Sequence, residues 1–200
     1  MSNGKQKGSG FERETCRDLS NWLTFHLEGT ARDDVFWRSS NSGGRATVRD
    51  KVKKKTHGSY GDISAIDPLG YKLLNHFILE CKKGYNKSST HDLLDRPKKA
   101  KQQQYEKWIA KAIVDAKASG LKAWQWVLIH KRDRRETMLY SPCKLLSHLG
   151  IYALCNTIEG VVEIDISPKL LIDETGTDKM QMFGCQLDKF LKIVDPKMFV

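Results

Sequence analysis

Two amphipathic helices, separated by three short strands, constrain the fold of this chain more than any other feature. The first helix is predicted from Ser9 to about Gly29, and the second over residues 98–119. Each has one continuous apolar face, which must be buried against another layer of structure. Strands that lie between two such helices in the chain predict an α/β fold, in which helices cover both faces of a mixed sheet.

The predicted strands are bounded by glycine, proline and polar turns. They cover residues 35–38, 61–66, 76–82, 124–130 and 136–140, and the first four strands with the two helices give the order αβββαβ. The Asp67–Gly70 turn is expected to join the second and third strands as an antiparallel pair. We expect residues 1–140 to form the core, and residues 141–200 to be a C-terminal extension packed on the same domain. A strand at 161–166 and a helix at 178–194 are predicted in that extension.

The charge of the chain points to a polyanionic partner. There are 34 Lys and Arg residues against 24 Asp and Glu residues, which gives a net charge of +10. The basic residues concentrate in three segments, 45–55, 96–101 and 131–135. Basic loops of this kind bind the phosphates of nucleic acids, although a charged surface that serves only solubility is the alternative.

Several other classes of protein are excluded by the sequence. No stretch reaches the roughly eighteen apolar residues of a membrane span, and the basic N-terminus has no apolar segment behind it that would make a secretory signal. The five cysteines are an odd number without a C-x-x-C pair, which argues against zinc and disulfides and favours a reducing compartment. No phosphate-binding G-x-x-x-x-G-K-[ST] motif is present, so no nucleotide cofactor is expected. We therefore expect a cytoplasmic protein of a bacterial, archaeal or phage-infected cell.

Four polar residues break the apolar patterns. Glu12 lies in the middle of the apolar face of the first helix, where its alternative role is a capping box with Ser9. Glu80 and Lys82 share one face of the third strand, where an exposed ion pair is the alternative. Asp62 begins the second strand, where it could also be an ordinary turn aspartate.

These residues suggest a metal-assisted hydrolase when they are taken together. If the second and third strands are neighbours, Asp62 lies near Glu80 and Lys82. Two converging carboxylates suit Mg²⁺ or Mn²⁺, and a lysine on the same face can hold a water molecule. That is an apparatus for hydrolysing a phosphodiester bond.

The segments G-D-I at 61–63 and E-C-K at 80–82 resemble the PD-(D/E)xK nuclease superfamily. K-G-S-G-F-E-R-E at 7–14 and R-S-S-N-S-G-G at 38–44 are more specifically similar to archaeal-type Holliday-junction resolvases. The resemblance covers roughly residues 7–130 and implies a restriction-endonuclease-like core.

The resemblance also implies roles for individual residues. Asp62, Glu80 and the backbone carbonyl of Cys81 would bind Mg²⁺, with Mn²⁺ able to substitute, and Glu12 would hold the metal directly or through water. Lys82 would orient or activate the attacking water. The residues expected to bind nucleic acid are Arg38, Ser40, Arg45, Arg49, Lys53, Lys54, Lys55 and Gln102. Ser39 and Ser42 remain alternatives to Ser40, and Gln102 is equally explained as a half-buried helix amide.

The sequence therefore predicts a metal-dependent DNA endonuclease, selective for branched DNA and dimeric like the resolvases it resembles. Two alternatives remain open. One is a restriction-type or repair-type nuclease that acts on duplex or single-stranded DNA. The other is a binding module with the same fold that does not cleave.

Overall fold

The computed structural model describes residues 4–39, 60–94, 102–166, 180–198 and 200. The helices within these ranges are α1 (Gly4–Glu28), α2 (Pro68–Leu74), α3 (Gln104–Ala118), α4 (Cys143–His148), α5 (Tyr152–Cys155) and α6 (Leu187–Ile193). The strands are β1 (Phe36–Arg38), β2 (Ile63–Ala65), β3 (Ile78–Lys83), β4 (Trp126–Lys131), β5 (Thr137–Pro142), β6 (Val162–Ile166) and β7 (Met180–Gln186). Short 3₁₀ turns lie at Thr90–Leu93 and Pro196–Met198. No helix in these ranges is long and apolar enough to cross a membrane.

The described strands form a mixed five-stranded sheet and a separate two-stranded sheet. The larger sheet has the order β3-β4-β5-β7-β6, in which β3 and β4 are parallel and the other pairs are antiparallel. The smaller sheet pairs β1 with β2. A mixed sheet flanked by helices confirms the predicted restriction-endonuclease-like α/β class.

Helices cover both faces of the five-stranded sheet. On one face, α1, α4, α5 and α6 pack on alternating strand residues such as Leu79, Ile129 and Phe183. On the other face, the apolar stripe of α3 packs on Ile78 and Leu128. Glu80 follows Ile78 on the same face of β3 and is paired with Leu128 of β4, so it lies on the α3 side of the sheet. A carboxylate is thereby placed inside a layer that is otherwise apolar.

The predicted antiparallel pairing of the second and third strands is wrong. Asp67 caps a helix, α2, because its side chain accepts a hydrogen bond from Leu69 N at 2.8 Å and Pro68 occupies the first turn. The helix carries the chain over to β3, which then pairs with β4. A turn signal and a helix start use the same Asp-Pro dipeptide, so local sequence does not distinguish them.

Replacing Asp67 by alanine should lower the free energy of unfolding by about 1 kcal/mol, because the cap of α2 is lost. The hydrogen bond from Leu69 N and the ion pair with Arg32, at 2.8 Å, hold the pKa of Asp67 below its ordinary value. The charge of Asp67 therefore stabilises the fold above about pH 4, and this contribution is lost as the pH falls through the lowered pKa. Urea unfolding of wild type, Asp67→Ala and Asp67→Asn between pH 7 and pH 3 would measure both effects. A wild-type advantage over Asp67→Asn that grew on acidification would contradict this account.

The final segment differs from the prediction of one helix over residues 178–194. Its first part is β7, which inserts between β5 and β6, and only Leu187–Ile193 is helical. Gly184 lies against the ring of Tyr140 so closely that a Cβ atom would come within 2.7 Å of it. Because β7 pairs with both β5 and β6, these C-terminal strands belong to the same sheet as β3 and β4.

The start of α1 also differs from the prediction. The helix already begins at Gly4, so Ser9 lies inside it and the capping box with Glu12 is wrong. The far end is as expected, since Gly29 follows the helix with φ of +79°. A buried hydroxyl group of α1 then holds the start of β1, because Ser20 Oγ accepts a hydrogen bond from Phe36 N at 3.0 Å.

Candidate active site

The candidate site lies on β3, which is an edge strand of the five-stranded sheet. It uses the side of β3 that is not paired with β4. The segment before β2 approaches this edge, and Asp62 N donates a hydrogen bond to Leu79 O at 2.7 Å. The approach depends on Gly61, which has φ of +82°, and a Cβ atom there would lie 2.6 Å from Leu79 O. Ser39 holds the same segment, because its Oγ donates to Gly61 O at 2.6 Å. Asp62 is thus brought to β3 by a left-handed glycine and not by a hairpin.

Three oxygen atoms surround the ammonium group of Lys82. Lys82 Nζ lies 2.8 Å from Asp62 Oδ2, 2.6 Å from Glu80 Oε2 and 3.1 Å from the carbonyl oxygen of Cys81. Asp62 Oδ2 also accepts a hydrogen bond from Cys81 N at 2.8 Å. Asp62 and Glu80 are both buried, so the ammonium group of Lys82 is the positive charge that two buried carboxylates share.

The environment changes the protonation behaviour of these groups. Burial, followed by repulsion from Glu80, raises the pKa of Asp62 despite the nearby ammonium group. For Lys82, burial lowers the pKa, but the carboxylates of Glu80 and Asp62 outweigh burial and the net shift is upward. The negative charges therefore keep Lys82 cationic, and Lys82 in turn offsets the repulsion between the two carboxylates.

Glu12 lies beside this cluster on α1. Burial and the charge of Asp62 raise its pKa, and its Oε2 accepts a hydrogen bond from Arg38 Nε at 3.1 Å. Arg38, which the sequence predicts to bind nucleic acid, is therefore engaged by Glu12 in this structure. The pair forms the border of the site on the side of α1 and β1.

The donor set fits a divalent metal ion that prefers oxygen. Asp62 Oδ2, Glu80 Oε2 and the Cys81 carbonyl already converge on one positive charge, and Mg²⁺ takes few protein ligands while keeping several waters. Among the described residues, no group of three His, Cys, Asp or Glu side chains is placed to hold a metal. An ion at this site would therefore be bound by two carboxylates and one backbone carbonyl.

Lys111 is a member of the site that the sequence analysis missed. From α3 it forms ion pairs with Glu80 Oε1 and, at 2.6 Å, with Asp115 Oδ2 one turn further along the helix. Glu80 thus has one oxygen held by Lys111 and the other directed at Lys82. The signal in the sequence was the Lys111–Asp115 pair at i,i+4 beside the apolar stripe, but that spacing is common on solvent-exposed helix faces.

Replacing Lys111 by methionine should raise the metal concentration needed for half-maximal cleavage by about tenfold, because outer partners orient metal-binding carboxylates. Lys111→Arg should recover most of the affinity, since arginine can hold both carboxylates. Lys107→Met on the exposed side of the same helix is the control and should behave as wild type. Metal titration of the cleavage rate, with thermal unfolding alongside, would separate a positioning role from loss of fold. An unchanged metal requirement in Lys111→Met would refute the positioning role.

Of the other residues predicted to bind nucleic acid, Gln102 lies among the described residues. Gln102 precedes α3, which begins at Gln104, so its predicted place on the apolar side of that helix is wrong. Ser40, Arg45, Arg49, Lys53, Lys54 and Lys55 lie outside the described residues, as do Ser42 and the whole of the second basic segment, 96–101. The third basic segment is described and includes the turn between β4 and β5.

The fold and this cluster define the class of the protein: G-D-I and E-C-K meet at the edge of a mixed sheet, as in the PD-(D/E)xK nuclease superfamily. The chain belongs to the family described as "Phage putative PDDEXK endonuclease", whose family model matches residues 3–200. No curated protein and no solved structure matches the chain. The similarity to archaeal-type Holliday-junction resolvases stays a prediction.

Proposed function

We propose that this protein is a Mg²⁺-dependent DNA endonuclease that acts in the cytoplasm of a phage-infected cell, with Mn²⁺ able to replace Mg²⁺. One observation carries the proposal: two buried carboxylates and a backbone carbonyl converge on a single cation, Lys82 Nζ. Burying carboxylates is costly unless they bind a positive charge, and sites of this kind concentrate where chemistry is performed. Membership in a family of phage endonucleases supports the same function.

The residues of the chain have distinct tasks in this proposal. Asp62, Glu80 and the Cys81 carbonyl would hold Mg²⁺, which would neutralise the charge that develops on the phosphate during hydrolysis. The three N–H donors of Lys82 now point to these oxygens; once a metal ion replaced the ammonium group as their partner, Lys82 would be free to direct a water molecule or a phosphate oxygen. The attacking water loses a proton to solvent as its oxygen bonds to phosphorus, the bond from phosphorus to the leaving oxygen breaks, and the leaving oxygen takes up a proton from solvent. Glu12 lines the site beside Asp62 and, with Arg38, borders the path of the substrate.

Selectivity for branched DNA and a dimeric assembly are the finer parts of the proposal. They rest on the resemblance of residues 7–14 and 38–44 to resolvases. A four-way junction has two scissile strands related by near two-fold symmetry, and a C2 dimer presents two sites with that symmetry. Sedimentation analysis at micromolar concentration would test the assembly, and a purely monomeric protein would contradict symmetric junction resolution.

Cleavage of a panel of labelled nucleic acids tests the function itself. The panel contains a four-way junction, a flap, linear duplex, single-stranded DNA and RNA, each incubated with Mg²⁺, with Mn²⁺ or with EDTA. Internal cleavage of DNA that needs the metal would support the proposal, and the preferred substrate would distinguish a resolvase from a restriction-type or repair-type nuclease. Tight binding without cleavage of any substrate would favour the module that only binds.

A further inference from the structure

Tyr85 has an unusual backbone conformation just after the strand that carries the site. Gly84 has φ of +85° and Tyr85 has φ of +52°, so two successive residues are left-handed. This conformation is uncommon for a bulky residue and is a local cost to the fold. Tyr85 is nevertheless 52% exposed, so burial of its ring does not fully compensate the cost. It follows Lys82 by three residues, which is at most about 11 Å along the chain.

The ring of Tyr85 packs on a buried aromatic cluster. Its centroid lies 5.0 Å from that of Trp108, with the two planes at 80°. Trp108 packs in turn on His130, whose Nδ1 makes a 2.7 Å hydrogen bond with the Tyr105 hydroxyl. His130 Nε2 also makes a 3.1 Å hydrogen bond with Gly84 O, which anchors the backbone just before Tyr85. The exposed ring is therefore held in place at the end of β3.

Two hydrogen bonds join the turn between β4 and β5 to Asn86, the residue that follows Tyr85. Asn86 Nδ2 donates to Asp133 Oδ2 at 3.0 Å, and Asp133 N donates to Asn86 Oδ1 at 2.7 Å. The turn carries Arg132, Arg134 and Arg135, and no carboxylate of the described residues forms an ion pair with them. Arginines on a turn whose backbone is held in this way are suited to phosphate oxygens.

We propose that Tyr85 and the arginines of the β4–β5 turn form a binding surface for unpaired nucleotides next to the scissile phosphate. The face of a base is free to stack on a protein ring only where the base has left the duplex, whereas the arginines bind phosphates in any DNA. The inference rests on the proposed function in one respect, the position of the scissile phosphate. It assigns the protein a preference for DNA that contains single-stranded segments, such as flaps and the centres of branched DNA.

The first test measures DNA binding in EDTA, so that cleavage plays no part. Fluorescence anisotropy would compare labelled oligo-dT with a labelled duplex of equal length for wild type, Tyr85→Asn and Tyr85→Phe. Asparagine tolerates the left-handed backbone and removes the ring, whereas phenylalanine keeps the ring. We expect Tyr85→Asn to bind oligo-dT about tenfold more weakly while duplex binding stays unchanged, and Tyr85→Phe to bind as wild type. Phe25→Ala, which removes a 59% exposed ring near the far end of α1, is the matched control.

The second test concerns the arginines. Arg134→Gln combined with Arg135→Gln should lower the slope of log affinity against log salt by about one to two, on single strands and duplex alike. Lys192→Gln combined with Lys197→Gln removes two exposed charges near the C-terminus and should leave the slope unchanged. Equal effects of the two pairs would mean that only the overall charge matters and would overturn the role of the turn.

The outcomes separate this proposal from the proposed function. Wild-type affinity of Tyr85→Asn for oligo-dT overturns the surface, even if the protein cleaves DNA with Mg²⁺. Binding of oligo-dT that depends on Tyr85, without cleavage of any substrate, leaves the surface in place and refutes the nuclease. If both hold, Tyr85→Asn should also reduce the preference of the enzyme for flaps over duplex.

Discussion

Replacing Asp62 by asparagine is expected to reduce metal-dependent DNA cleavage by at least about a thousandfold. The substitution keeps the size of the side chain but removes one of the two carboxylates that converge on Lys82 Nζ. Binding of DNA should be retained or become tighter, because a negative charge near the phosphate is removed. Cleavage rates and filter-binding affinities on the same substrate would measure the two effects separately.

Two controls make the Asp62 result specific. Asp188→Asn removes a half-exposed carboxylate on α6 and should change neither cleavage nor binding. Thermal unfolding of Asp62→Asn should stay close to that of wild type, because Lys82 retains its ion pair with Glu80 at 2.6 Å. A folded Asp62→Asn variant that cleaves at the wild-type rate would refute the metal site.

Replacing Gly61 by alanine is expected to disable the site without touching any of its charged groups. The new Cβ would lie 2.6 Å from Leu79 O, and φ of +82° is unfavourable for alanine. Relief of this clash moves Asp62 away from β3, and a shift of about 1 Å can cost a hundredfold in rate. We expect a hundredfold loss of cleavage, together with a decrease of about 2 kcal/mol in the free energy of unfolding.

Gly120 offers the matched control for this substitution. It has φ of +89° beyond the end of α3, but a Cβ atom there would meet no other atom within 4 Å. Gly120→Ala should therefore cost about 1 kcal/mol of stability from the backbone alone and leave cleavage unchanged. If both glycine variants lost stability and kept full activity, the close approach at Gly61 would not be what positions Asp62.

The strand that carries the site was predictable because its information is local. Successive side chains of a strand point to opposite faces, so Glu80 and Lys82 had to share one face wherever the strand was placed. Which helix covers that face was not predicted, and the structure places the apolar stripe of α3 there. The mixed sheet between two helical layers follows from the same periodicities.

The path between Asp62 and Glu80 was not predictable from local sequence. Asp67-Pro68 is compatible with both a turn and a helix start, and the hydrogen bond to Leu69 N together with the ion pair to Arg32 stabilises the helix. Asp62 still lies close to Glu80, but by a different route from the predicted hairpin. Asp62 is brought close to Glu80 because the backbone at Gly61 and Asp62 packs directly against Leu79 O. Residues 61 and 79 are not neighbours in the sequence, so a local pattern does not reveal this contact.

The secondary structure of residues 180–186 was also not predictable from local sequence. Residues 180–186 have apolar side chains that satisfy a helical or an extended pattern, and the sequence analysis chose a helix. An open strand edge on β5, and the fit of Gly184 against Tyr140, make the extended form the stable one. Neither the open edge nor the ring is visible from residues 180–186 alone.

The sequence by itself determined the class of fold, the pairing of Glu80 with Lys82 on one strand face, and a basic surface suited to nucleic acid, because these follow from periodicity and composition. Only the tertiary structure decided that Asp62, Glu80 and the Cys81 carbonyl converge on one cation, that Lys111 holds Glu80, and that Arg38 pairs with Glu12. Those contacts join residues from different elements. Their geometry depends on how the packed layers approach each other, which short-range patterns do not encode.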